Sequence, residues 1–436
     1  MRDVLVVSLF LAMIVVAFRK PIGGLCVWVW TSFITPNFFL YGFGNSIRFN
    51  LIAALMTITS FMMFTQKKEI TKHSLATTVY VFFGWSLITA IFAIHDSPDI
   101  AFISDAFFRA MVLFVFILFI IKTENQFRVI CIAFCLSLGF YSVAEGLKYF
   151  LSGGGHRIVG PANSALTDNN HFALGINMMI PFLLALHAEF KQKYLKLAIV
   201  GVILTSILTV MGTNSRGGFI GLMVIGGFYF LHSKKKLLII TLVLILGGTV
   251  ISLVPDNYFA RIDTINNAQE DLSFLGRVVA WKQSILIALD NPITGGGFNA
   301  VQTASVWYTY APDFDTTWLM NTPHPIETGV KAAHSIYFQV LGDQGFTGII
   351  LFCFMLYFSI IKSYGVMKYR PPDSNGERVW VNSWGQACFL SMVVYSIGGA
   401  LLSLAYFELL YLVLALICVL DAEVKKQKAQ SLIATS

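Results

Sequence analysis

Lys196-LAIVGVILTSILTVMGTNS-Arg216-GGFIGLMVIGGFYFL-His232 holds two long apolar runs on either side of a short polar turn. Each run, 196–212 and 217–232, approaches the ~20 residues a helix needs to cross a bilayer at about 1.5 Å per residue. The pair therefore reads as two spans, with Arg216 where the chain turns back. Ionisable groups at membrane depth are expensive, so they usually mark a substrate path or a site.

The same pattern recurs outward from this stretch. The chain has 436 residues, 56% hydrophobic and 12% charged, which excludes a soluble domain of this length. Its mean hydropathy is +0.73. Apolar runs fall at 4–18, 22–40, 49–65, 75–94, 104–121, 127–147, 171–187, 196–212, 217–232, 237–254, 336–361, 384–403 and 406–420. These predict an all-α polytopic membrane protein with about 12–13 transmembrane helices. The second run is short and stops at Thr35-Pro36-Asn37. The last two are separated only by Leu404-Ala405, as a tight hairpin or one broken helix. The first run resembles a signal peptide but lacks a small-residue cleavage site, so it is expected to be retained. The six cysteines all lie in apolar runs without metal-site spacing.

The net charge of +7 comes from lysine clusters between spans, and no nucleic-acid partner is expected. Lys67-Lys68-Lys72, Lys191-Lys193-Lys196, Lys234-Lys235-Lys236, Lys362-Lys368 and Lys425-Lys426-Lys428 fall on alternate loops, which the positive-inside rule makes cytoplasmic. The loops 95–103, 148–170, 213–216 and 255–335 then face outward. Three units follow: an N-terminal transmembrane bundle (1–254), an outward loop domain (255–335), and C-terminal helices with a cytoplasmic tail (336–436). The outward basic residues are Arg2, Arg48, Arg109, Lys148, Arg157, Arg216, Arg261, Arg277, Lys282 and Lys331, mostly arginine, while lysine dominates inside. Arginine's planar fork suits phosphate, which hints at phosphate chemistry outside; arginine's tolerance of interfaces is the plainer alternative.

The long loop carries an amphipathic helix at 276–290, with Val278, Trp281, Ile285 and Leu289 on one face and Lys282 and Gln283 elsewhere. Asn291-Pro292 stops it, and Gly295-Gly296-Gly297 follows. Trp307, Tyr308, Tyr310 and Trp318 could stack on sugars or rest on lipid headgroups.

Candidate site residues sit in four places. Arg216 is preceded by Ser215 and followed by Gly217-Gly218, glycines that let a backbone approach a ligand, and the next helix offers its N-terminal N–H groups to an anion. The plainer reading is a helix-end arginine reaching the interface. Arg277 opens the amphipathic helix, where a cation is mildly unfavourable unless it has a function or an ion pair with Glu270 or Asp271. His334, ahead of a long apolar helix, is the side chain suited to proton transfer near neutral pH. A neutral capping histidine is the alternative, and His95, His156, His171 and His324 are outward competitors. Asp168-Asn169-Asn170-His171 opens a span, where Asp and Asn ordinarily cap, although they could line the same cavity. Asp313-Phe314-Asp315 has two-carboxylate spacing, but no metal site is expected there.

Asn214-Ser-Arg-Gly-Gly218, the Gly276-Arg277 helix with Asn291-Pro-Ile-Thr-Gly-Gly-Gly297, and Ala333-His334-Ser-Ile-Tyr-Phe-Gln-Val-Leu-Gly-Asp-Gln-Gly345 occur in this order. That order resembles the O-antigen ligase and O-antigen polymerase superfamily. The opening Met1-Arg2-Asp3, Thr35-Pro36-Asn37 and Gly160-Pro161…Asp168-Asn169-Asn170 resemble one branch, the O-glycosylation ligases associated with exosortase A systems. The resemblance implies a GT-C-like, metal-independent glycosyltransferase of the bacterial inner membrane, with no cofactor and its site facing the periplasm. It would move a glycan from undecaprenyl pyrophosphate to an acceptor hydroxyl on a lipid A core sugar or a protein Ser/Thr. The family's two arginines fall on Arg216 and Arg277 and its histidine on His334. Ser335 stands where the superfamily often has Asn.

On that reading Arg216 and Arg277 clamp the pyrophosphate and His334 accepts the acceptor's proton. Arg157, Arg261, Asn169 and Asn170 are candidates for binding donor or glycan. A glycan polymerase and a lipid-linked glycan transporter are the alternatives. The transporter is disfavoured by the lack of an internal repeat and by basic sites gathered at one face.

Overall fold

The computed structural model describes residues 1–162, 164–234, 236, 241, 272–371 and 379–435, and no strand occurs among them. The helices are α1 (Arg2–Ala17), α2 (Pro21–Ile34), α3 (Phe49–Phe64), α4 (Ser74–Ile91), α5 (Asp99–Ile120), α6 (Glu124–Leu151), α7 (Asn169–Glu189), α8 (Lys193–Gly212), α9 (Arg216–His232), α10 (Leu272–Asp290), α11 (Ile336–Lys368), α12 (Trp380–Gly398) and α13 (Glu408–Thr435). Two short helices, Ala304–Thr309 and Pro325–Thr328, lie between α10 and α11.

An apolar chain in hydrocarbon must satisfy its backbone internally, and helices do so. Seven described helices are long and apolar enough to cross a membrane, and α2 and α3 are shorter apolar helices. The protein is thus an all-helical polytopic membrane protein. The expected spans coincide with helices α1–α9 and α11–α13, whereas the run at 237–254 lies, but for Thr241, outside the described residues. The second run ends early because Thr35 turns left-handed (φ 46°) ahead of Pro36. The last two runs form a hairpin, with α12 and α13 in contact across residues 399–407.

Helix starts follow from capping. Thr123 and Gln126 form a capping box on α6, the Asp168 carboxylate accepts the N–H groups of Asn170 and His171 on α7, and the Ser215 hydroxyl accepts that of Gly218 on α9. Helix α13 is the axis of the bundle: its residues from Leu409 to Cys418 are at most 1% exposed, and α4, α5, α11 and α12 pack around it. Outer helix faces instead expose Leu5, Val16, Met63, Leu136, Leu197 and Ile350. That inversion of the soluble pattern is what a lipid environment permits.

The loops sort to two ends. At one end His73 meets Asp421 (2.6 Å), Lys122 donates to Thr71 (2.8 Å) and Arg128 to Glu189 (2.7 Å). These belong to segments that lysine placement makes cytoplasmic. At the other end Asp3 accepts the Gly42 N–H (2.8 Å), Asn299 donates to Asp99 (3.1 Å), and the Ile94 N–H donates to the Gly296 carbonyl (3.1 Å).

At this second end the glycines of two sequence motifs interlock. Helix α11 is broken at Gly345 (φ 65°). The Gly342 and Asp343 carbonyls accept the N–H groups of Gly296 (2.8 Å) and Gly297 (2.9 Å), and Phe346 donates to the Pro292 carbonyl (2.8 Å). Gly295 also has positive φ (65°), and a Cβ there would lie 2.4 Å from the Gly345 nitrogen. Only glycine fits such an approach.

Helix α10 departs from the amphipathic expectation. Val278 is buried but Leu289 is 61% exposed, and Lys282 and Gln283, expected on the polar side, are buried. The helix is covered both by α11 and by the 300–330 segment. The Lys282 ammonium reaches the carbonyls of Asp315, Thr316 and Met320 and the Thr322 hydroxyl at 2.8–3.2 Å, so hydrogen bonding compensates its burial.

Candidate active site

Three chain segments meet at the end of the bundle that carries the glycine interlock. The first is the α8–α9 turn. Its polar backbone is met by neighbours: Ile158 donates to the Gly212 carbonyl (3.0 Å) and the Asn169 amide to that of Thr213 (2.7 Å). Arg216 is the first residue of α9 and is exposed. Of the two glycines behind it, Gly218 is required by packing, and Gly217 makes only ordinary contacts. A Cβ at Gly218 would come 2.7 Å from Ala173 of α7, and one at Gly217 would face the Gly398 carbonyl of α12 at 3.7 Å. The Asn177 amide donates to the Gly218 carbonyl (2.7 Å), locking α9 to α7.

The second segment precedes α7. Arg157 is exposed, between Ile158 and a His156–Glu145 hydrogen bond of 2.8 Å, so it stands beside the α8–α9 turn. Asn169 is committed to the Thr213 carbonyl, and the Asn170 amide donates to Asn169 (3.3 Å). These asparagines build the wall of the site. Burial raises the Asp168 carboxyl, but neighbouring His171 and the N–H groups of His171 and Asn170 outweigh it, leaving its pKa below 3.8.

The third segment carries His334, held at φ 43°, an uncommon conformation for a residue with a Cβ. The Trp281 indole donates to the Ala333 carbonyl (2.6 Å), and its ring stacks on Phe338 at 5.0 Å, fixing the peptide on both sides of the histidine. Beyond it, Ile336 packs so closely on Gly399 that a Cβ there would meet its side chain at 2.7 Å; neighbouring Gly398 faces Leu174 of α7. The imidazole is half-buried, and its Nδ1 is buried without a hydrogen-bond partner among the described residues. Burial, then the Arg277 cation, lower its pKa below 6.5; His171 adds to this and the Asp168 carboxylate opposes it. The imidazole thus lies within electrostatic reach of a guanidinium, a carboxylate and a second imidazole.

Arg277 is half-buried and sits five residues past the first described residue of α10. The helix-start penalty read from the sequence fades there, because the dipole effect is confined to the first turn. Arg261, Glu270 and Asp271 lie outside the described residues.

The structure therefore brings together Arg277, His334, Asp168 and His171, with Arg216 and Arg157 on the adjoining turn. Sequence reading gave Asp168 a capping role, with a lining of the same cavity as the alternative, and His171 a competitor's role; the structure adds that Asp168 lies within electrostatic reach of His334. The remaining outward histidines serve elsewhere: His95 accepts the Ser97 N–H (3.2 Å) and His324 that of Ile326 (3.3 Å). Asp315 uses one carboxylate oxygen for the Thr317 N–H and hydroxyl (each 2.7 Å) and the Trp318 N–H (3.2 Å). No group of three metal-ligating side chains occurs among the described residues.

Residues 1–191 match a family of unknown function (DUF5935), and residues 200–353 match the O-antigen ligase family. No curated protein matches the chain. Arg216, Arg277 and His334 all fall inside the second match, so residues 200–353 carry an O-antigen ligase family region.

Proposed function

We propose that this protein is an inverting membrane glycosyltransferase of the ligase type. It would move a glycan from undecaprenyl pyrophosphate to an acceptor hydroxyl at the periplasmic face of the inner membrane. The observation that carries this is the half-buried His334, within electrostatic reach of Arg277 and Asp168, with the start of α7 tied through Asn169 to the turn bearing Arg216.

Arg216 and Arg277 hold the pyrophosphate, and the N-terminal N–H groups of α9 add positive potential. The acceptor oxygen attacks the anomeric carbon while the bond from that carbon to the pyrophosphate oxygen breaks. The acceptor's proton passes to His334, and undecaprenyl pyrophosphate leaves with its added charge stabilised by the guanidinium groups. Single displacement inverts the anomeric centre. Asp168 offsets the imidazolium that forms. All positive charge in this scheme comes from side chains and backbone, so no step calls for a metal.

The acceptor is a lipid A core sugar or a protein Ser/Thr; the latter would suit the exosortase-associated branch. Reconstitution with an undecaprenyl-pyrophosphate glycan and each acceptor tests the reading. One transfer per acceptor is the expected outcome. A ladder of lengthening products would identify a polymerase instead, and lipid translocation without product would identify a transporter.

A further inference from the structure

A polar cavity lies at the opposite end of the bundle, remote from the site above. It measures about 350 Å³, within the ~300–1,000 Å³ range of small-ligand pockets. Helices α9 and α11 flank it, and both pack on α12, which supplies Gln386 to its lining. Lys368, Arg370, His232 and Ser233 line the mouth, and among the described residues no acidic side chain lines the cavity. Arg370 gives one donor to the Tyr369 carbonyl (2.6 Å), a small part of a fork of five N–H groups.

Two further features narrow the ligand. The cavity sits where α9 and α11 end, at the lysine-rich side, which is the level of lipid headgroups. Its apolar wall continues as an aromatic row across α12: Phe228 lies 6.1 Å from Phe389, which lies 5.5 Å from Tyr364. Leu231 (69% exposed) and Ile361 (47% exposed) extend this apolar surface toward the bilayer. A free phosphate has no use for such a wall, whereas an acyl chain follows it.

We propose that this cleft binds the headgroup of an anionic phospholipid of the cytoplasmic leaflet. Lys368 and Arg370 face its phosphate, and its chains lie along α9 and α11. The inference is independent of the transfer chemistry.

Native mass spectrometry of the purified full chain, given equal phosphatidylglycerol and phosphatidylcholine, tests it. The wild type should retain phosphatidylglycerol preferentially, and inorganic phosphate should not displace it. K368Q/R370Q should lower that retention about 25-fold, from about fivefold per basic residue at a membrane surface, and leave phosphatidylcholine unchanged. Ser233→Tyr, which fills the cavity without removing either cation, should give the same loss and serves if the double variant misfolds. Equal retention of the two lipids by the wild type, or undiminished retention by the folded variants, would overturn the proposal. Full displacement by inorganic phosphate would overturn it in favour of a small-anion site.

Discussion

His334 keeps its backbone at φ 43°, a conformation that costs roughly 1–3 kcal/mol and persists only where the surroundings over-determine it. Here the surroundings are the Trp281 indole on one side and the start of α11 on the other. His334→Ala should lower turnover by about 10²–10⁴-fold, the usual share of a positioned base. Arg216→Ala and Arg277→Ala should each lose about 10²–10³-fold, as when one stabiliser of developing charge is removed. The lowered pKa of His334 has a definite sign. A base must be neutral, so activity should hold at pH 7 and fall on an acidic limb below pH 6.5. Asp168→Asn removes a charge that raises this pKa, so its limb should move to lower pH; a limb that moves up would contradict the coupling. The same shift makes His334 a stability term that is fully present above pH 6.5 and lost as the pH falls through its depressed value. At this scale Arg216 and His334 were legible because a charged group between apolar runs stands out. Asp168 was legible only as a cap that could also line the cavity, since a capping aspartate has the same sequence signature whether or not a histidine lies near it.

Among the elements, the least legible is α10. Its spacing of Val278, Trp281, Ile285 and Leu289 predicts one buried face, yet the buried positions include Lys282 and Gln283. Periodicity assumes a single covering partner, and this helix has two. Lys282→Met should leave three carbonyls and a hydroxyl short of a donor. The ammonium is what ties this segment to the helix, so the 315–322 segment should become protease-sensitive before the helices unfold. The glycine interlock makes a second element-scale prediction. Gly295→Ala places a methyl 2.4 Å from the Gly345 nitrogen and also strains a positive φ, so it should lower the melting temperature and detach the 291–297 turn from α11. An unchanged melting temperature would mean the two motifs do not depend on each other. The sequence displayed both glycine motifs in order without showing that they mate, because nothing local to either encodes the other.

For the whole molecule, apolar run length and lysine placement carried most of the information. A run near twenty residues has few alternatives to a helix in lipid, and loops assigned to one side by their lysines do meet one another. Single cysteines at Asn214 and Ser305, in a Cys353→Ser background, should react with an impermeant thiol reagent from the periplasmic side of sealed vesicles. Cysteines at Lys67 and Gln192 should react only from the other side. Asn214 and Gln192 reacting from one common side would contradict the topology. The most direct test of the central claim is single-turnover transfer from a labelled undecaprenyl-pyrophosphate glycan by purified wild type, Arg216→Ala and His334→Ala at saturating donor. Large rate losses in both folded variants are predicted; wild-type transfer rates in both would contradict the assignment of the site.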